Sequence, residues 1–151
     1  MAANVGKTCL ALALVSPGLT VAACRHGGSN PADPLSYSSW LIVEIGGQPT
    51  PLTGDLLRDD LYAVDFGPDT LVGYGGCNRF SGSYSRSGDR LQLDALGSTR
   101  RACAESIMML EGRLFEILRG RLRIIFPDRG TLVLSGTTGE VRLRRTGSER
   151  D

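Results

Sequence analysis

The sequence predicts a mainly β (α+β) fold. An antiparallel meander of about eight strands should form a barrel or half-barrel, with one amphipathic helix inserted after the fifth strand. Three observations carry this expectation. Short alternating apolar segments recur between turn residues such as Gly67-Pro68-Asp69 and Pro127-Asp128-Arg129-Gly130, which is hairpin punctuation. The apolar period changes once, between Cys103 and Gly120, from two residues to three or four. Between these lies Gly73-Tyr74-Gly75-Gly76-Cys77-Asn78, three glycines in four residues, which marks a bulge or sharp corner where only a residue without Cβ fits. A meander of this kind curls, because closure removes unpaired edges, and the helix then plugs an open side or end.

In chain order, Trp40–Ile45 is a β-branched and aromatic run that stops at Gly46-Gly47, the first strand. Gln48–Asp60 holds two prolines and a glycine and reads as a long loop. Leu61–Phe66 resumes strand character, with Tyr62, Val64 and Phe66 on one face, and Thr70–Tyr74 runs back as a hairpin. After the glycine corner, Arg79–Tyr84 alternates, with Phe80, Gly82 and Tyr84 on one face. Ser85–Asp89 turns, and Arg90–Asp94 alternates as a half-buried strand should. From Cys103 to Gly120, Ile107, Leu110, Leu114 and Ile117/Leu118 form a helical stripe widened by Met108 and Phe115. Glu111 falls at the margin of that stripe, the place for a rim carboxylate paired with an arginine; the other reading is a functional contact. Three strands close the chain: Arg121–Phe126 with Leu122, Ile124 and Phe126 inward, Thr131–Leu134, and Glu140–Arg144 with Val141 and Leu143 inward.

The N-terminus reads as an export signal over residues 1–23. Lys7 precedes two apolar runs, Leu10–Val15 and Leu19–Ala23, broken by Ser16-Pro17-Gly18 and too short to span a bilayer. Val21-Ala22-Ala23-Cys24 resembles a bacterial lipobox, which would make Cys24 a lipidated N-terminus; the other reading is an ordinary small-residue cleavage site. Several acyl chains, each buried CH₂ worth about 0.8 kcal/mol, would make such attachment effectively permanent. Arg25 after that cysteine points, by resemblance to enterobacterial sorting, to the outer membrane, facing the periplasm. Residues 24–38 read as a flexible tether, 39–145 as the domain and 146–151 as a frayed tail.

Composition narrows the function. The chain has 17 basic and 16 acidic residues, and the only lysine, Lys7, is in the leader. Without the leader the charge is balanced, which argues against nucleic acid as a partner. Of four cysteines, Cys9 leaves with the leader and Cys24 would carry lipid, leaving Cys77 and Cys103 as one pair in an oxidising compartment. A disulfide across this loop of roughly 26 residues would constrain the unfolded chain by about 3.5 kcal/mol in the entropy model. The competing reading is a reactive thiol, since a helix start favours the thiolate. No cofactor and no metal site is expected: no CxxC or HxxxH spacing occurs, and the one histidine, His26, sits in the tether. The domain therefore lacks a histidine base, and its carboxylates follow no catalytic pattern. Gly73-x-Gly-Gly is no phosphate loop, because no lysine follows and a strand comes next. Asn78 reads either as a residue tolerating a left-handed turn or as a ligand contact. Phe80 and Tyr84 read as core.

With these residues in hand, the chain resembles the META domain family, which includes heat-shock lipoproteins of the HslJ type. The resemblance spans roughly Ser39 to Arg145. It rests on Trp40, on Gly73, Gly76, Cys77, Asn78, Phe80, Gly82 and Tyr84, on Thr99 and Cys103, and on Glu111, Phe115 and Leu118. Arg101 stands where the family usually has methionine. The resemblance implies a small barrel-like fold with one helix and an envelope protein linked to stress and antibiotic tolerance, with no established catalytic activity. Together with the export signal, this gives a non-enzymatic, lipid-anchored module that binds a protein or a small apolar ligand. The alternatives are an inhibitor or accessory domain for a periplasmic enzyme, presenting a loop such as Gln48–Asp60, and an enzyme whose site is unrecognisable from sequence. An open apolar cavity would favour the small ligand, and a rigid, filled barrel with a long exposed loop the inhibitor or accessory role.

Overall fold

In a computed structural model of the chain, residues 33–51 and 61–146 are described. The export signal, Cys24, His26, most of the Gln48–Asp60 loop and the end of the tail lie outside them. Among the described residues, nine strands and one helix follow in order: β1 (Ser38–Ile45), β2 (Gln48–Pro49), β3 (Tyr62–Phe66), β4 (Thr70–Gly75), β5 (Arg79–Ser87), β6 (Arg90–Ser98), α1 (Glu105–Leu118), β7 (Arg121–Asp128), β8 (Thr131–Ser135) and β9 (Glu140–Arg145). Each strand from β3 onward pairs antiparallel with the next, β3 pairs with β1, and β9 pairs back onto β1, so the sheet is closed. The two-residue β2 pairs only with β1 and stands outside the barrel, which leaves eight barrel strands with the helix after the fifth of them.

Alternation decides what goes inside. Ile42, Val64, Phe66, Leu71, Phe80, Leu91, Leu93, Leu134, Val141 and Leu143 line the interior, and Leu114 and Leu118 of α1 reach in among them. The void left between them is about 10 Å³. That is hardly room for one water, and its lining offers no polar partner. The barrel is therefore filled, with no internal cavity for a ligand.

Several elements differ from the sequence reading. The stretch 33–38 is not tether: Leu35 is fully buried, Asp33 pairs with Arg86, and Ser38 already opens β1. An apolar side chain that fits the mouth of the barrel gains more from burial than from solvent freedom. Gly46 and Gly47 both have positive φ, the signature of a type I′ hairpin turn, so Gln48 and Pro49 pair back onto β1 rather than begin a loop. β5 extends to Ser87, so the turn after it shrinks to Gly88-Asp89, and β6 runs past Asp94 to Ser98. Beyond Gln92, β6 parts from β7, and a bulge opposite Gly82 places Ala95 at φ 49. The helix begins at Glu105 rather than Cys103, and Met108 lies outside its stripe at 41% exposure. Phe126 is half-buried, against Trp40, rather than fully inward.

The meander fixes two ends. The start of β1 lies with the β3–β4, β5–β6 and β7–β8 turns, and the glycine corner lies with the Gly46-Gly47 turn, the 136–139 loop and α1. Trp40 anchors the first end. It is fully buried, its Nε1 donates to Ser38 Oγ at 2.7 Å, and the Arg145 guanidinium lies 4.9 Å over its ring. Tyr84 belongs to the same end, its hydroxyl donating to the Gly67 carbonyl at 2.7 Å.

Candidate functional site

Most of the residues that carry the family resemblance converge at the glycine corner. β4 ends at Gly75, β5 starts at Arg79, and the chain between them must pass beneath α1. Gly76 has φ +107, and a Cβ there would fall 2.4 Å from the Tyr62 hydroxyl. A Cβ on Gly75 would fall 3.0 Å from Glu111 Oε1. Both glycines are therefore fixed by close approach, one of a phenol and one of a carboxyl group. Gly73 leaves the space that the Phe80 ring occupies.

Glu111 is 5% exposed and, among the described residues, pairs with no arginine, contrary to the rim ion pair expected from its place on the helix. Its Oε1 accepts from the Asn78 amide at 2.6 Å and from the Cys77 amide at 3.3 Å, and its Oε2 accepts from Asn78 Nδ2 at 2.7 Å. Turning the corner leaves those two amides without strand partners, and the helix supplies the acceptor.

Asn78 is the hub. Its φ is not positive, so tolerance of a left-handed turn is not its role. Its Oδ1 accepts from the Arg101 amide at 2.7 Å and the Thr99 hydroxyl at 2.9 Å. Its Nδ2 donates to Glu111 and, at 3.4 Å, to the Arg101 carbonyl. The side-chain amide thus uses acceptor and donor in full. Arg101 is held through its backbone, with the side chain exposed, so the arginine in place of methionine disturbs nothing buried.

Cys77 and Cys103 are joined, with S–S 2.03 Å and Cα atoms 6.0 Å apart. The bond ties the corner to the segment just before α1. One turn beyond Glu111, Phe115 meets Phe80 edge-on at 5.6 Å between ring centres. Cys77, Asn78, Phe80, Thr99, Cys103, Glu111 and Phe115 therefore form one clasp between corner and helix. Gly82, Tyr84 and Trp40 are not part of it. Gly82 faces the bulge of β6, where a Cβ would stand 3.1 Å from the Asp94 carbonyl.

Sequence reasoning missed Tyr62 as a site residue. Its phenol is buried against the corner, and its hydroxyl has no hydrogen-bond partner among the described residues. Burial, and then the nearby Glu111, push its pKa above the ordinary phenol value. An acid held neutral in the fold contributes fully below the unfolded pKa, about 10, and that contribution fades as pH rises through the folded value. Stability in urea should therefore decline above about pH 10, and Tyr62→Phe should flatten the decline. An unchanged alkaline limb in the variant would contradict this assignment.

Chemically the clasp is closed. Its two sulfurs are bonded to each other, and its carboxyl group accepts from three N–H donors. Among the described residues no cluster of three His, Cys, Asp or Glu could hold a metal ion. The open surface lies beside it. A groove of about 660 Å³ runs between α1 and the β1–β2 hairpin. Ile45, Pro51, Tyr62, Ile107, Met109 and Leu110 give it apolar walls, with Gln48, Ser106 and Arg113 at the margins. Met109 is 69% exposed. The sequence signal was Met108-Met109, two adjacent apolar residues that no single helical stripe can bury together.

The comparisons with known proteins agree with this architecture. An NMR structure of a protein from Burkholderia xenovorans is 21% identical, covers 88% of this chain and 98% of its own, and superposes with a TM-score of 0.58. A second protein solved by NMR is 23% identical over 74% of this chain and 92% of its own, with a TM-score of 0.60. At these identities the likeness is one of fold. No curated protein matches the chain. The META domain family model matches residues 33–149, the span that holds both the barrel and the clasp, and the chain belongs to the META domain family.

Proposed function

We propose that this protein is a non-enzymatic binding module of the bacterial envelope, anchored by lipid at Cys24 and serving in stress and antibiotic tolerance. The observation that carries the binding reading is the pairing of a filled barrel with an apolar outer groove. With about 10 Å³ inside, recognition falls to the outside, where the groove of about 660 Å³ offers apolar walls. Exposed methionine suits it to an apolar segment of a partner protein, because the thioether adapts to irregular surfaces. The lipobox-like Val21-Ala22-Ala23-Cys24 supports the anchor and the periplasmic setting.

The same filled interior meets one half of what an inhibitor or accessory domain asks for; the loop that would be the other half, Gln48–Asp60, lies mostly outside the described residues. One experiment addresses the groove directly. A photo-crosslinker placed at Met109 in cells should capture a defined envelope protein, and Leu110→Asp should abolish that capture. Capture that survives Leu110→Asp would assign recognition to another surface. Cys24→Ser should move the protein from the membrane to the soluble fraction; retention on the membrane would remove the lipid anchor from the proposal.

A further inference from the structure

The helix that walls the groove is held unevenly. Its second half is packed into the barrel by Glu111, Leu114, Ile117 and Leu118, all buried. Its first half, Glu105–Leu110, contributes no buried side chain; Ile107 and Leu110 are half-buried and the others exposed. The helix also starts without a side-chain cap at Ala104, and two uncapped turns are marginal on their own in water. Groove residues Ser106, Ile107, Met109 and Leu110 all come from this weakly held half.

Two tethers bracket the stretch, and both run through Asn78. Upstream, the Asn78 amide holds the Arg101 backbone; downstream, Asn78 and Cys77 hold Glu111. Between Arg101 and Glu111, the firm attachment is the Cys77–Cys103 bond. Cys103 is half-exposed, whereas Cys77 is buried.

We propose that this disulfide is a redox control on the outer groove, a step that rests on reading the groove as the docking surface. Oxidised, the bond holds residues 102–110 as an ordered wall. Reduced, it lets them fray while Glu111–Leu118 stays docked, and the groove loses one side. The reductant is a dithiol, such as that of a thiol–disulfide oxidoreductase. Its thiolate attacks the sulfur of Cys103, the less buried of the two cysteines, forming a mixed disulfide and releasing the Cys77 thiolate. The second thiol of the dithiol resolves the mixed disulfide and leaves as the cyclic disulfide. Two electrons and two protons pass to the protein, which ends with two thiols.

Amide hydrogen exchange on the full chain, before and after dithiothreitol, tests the idea. Met108, Met109 and Leu110 should exchange at least about tenfold faster after reduction, with Ile117 and Leu118 changing by less than about twofold. Equal acceleration along the whole helix and the strands, or none anywhere, overturns it, since the bond would then be a global staple or idle. The variant Cys77→Ser/Cys103→Ser should show the same selective pattern without reductant; its failure to fold would also overturn the proposal. The exchange pattern needs no partner. Selective fraying without any crosslink at Met109 would leave the redox element standing and remove the docking surface.

Discussion

Glu111→Gln should cost about 3 kcal/mol of stability, although it changes one atom and no volume. The glutamine oxygen replaces Oε1 and still accepts from the Asn78 and Cys77 amides. Its nitrogen then replaces Oε2 and faces Asn78 Nδ2, donor against donor. Asn78 cannot escape by flipping, because its Oδ1 would leave the Arg101 amide and the Thr99 hydroxyl. Turning the glutamine instead points its NH₂ at two backbone amides. Every arrangement buries an unsatisfied donor. Glu111→Ala should cost more, about 4 kcal/mol, because all three donors lose their acceptor. Urea unfolding gives the numbers, and a cycle with Asn78→Ala should show a coupling of at least about 1.5 kcal/mol. A cost below about 1 kcal/mol for Glu111→Gln would mean that water replaces the lost acceptor and that the clasp is looser than its distances imply.

Trp40→Ala should be the most damaging change at the opposite end, at about 4 kcal/mol or somewhat more. The indole is fully buried, stands 6.1 Å from the Phe126 ring, bonds Ser38, and lies beneath Arg145. Its loss empties a space bordered by strands paired on both sides, which cannot collapse inward without breaking the closed ladder. It also takes away the indole donor of Ser38 Oγ, which keeps only its bond to the Leu35 carbonyl, and removes a cation–π contact worth about 1 kcal/mol. Trp40→Phe should recover roughly half. Because Trp40 is the chain's only tryptophan, unfolding must be followed by circular dichroism rather than by its fluorescence. A cost under about 2 kcal/mol would show that Arg145 and Phe126 close over the gap.

How much of this was legible in the sequence follows from which residues were needed. The strands were legible because each carries its own alternation: Leu122 and Ile124, or Val141 and Leu143, point inward whatever their neighbours are. The disulfide was legible because only Cys77 and Cys103 lie within the domain, and the structure joins them. Glu111 was misplaced because helical spacing assigns it to a margin but cannot say what stands opposite that margin. Two unpaired backbone amides stand there, and backbone groups leave no trace in residue type. Leu35 was misplaced because its neighbours, Ser, Asn and Pro, have a tether's composition. Composition averages over a window, whereas a single side chain can seal a barrel mouth.

The sequence by itself determined the eight barrel strands and their order, the helix after the fifth of them, the paired sulfurs and the family, because these depend on local periodicity and on a short, specific motif. The tertiary structure alone decided that the barrel is filled, that Glu111 is a buried acceptor and that the apolar groove lies outside. Each of these depends on which groups meet across the fold. Volumes, hydrogen-bond partners and exposed faces are properties of pairs distant in sequence, and they come into being only when the β1–β9 ladder closes.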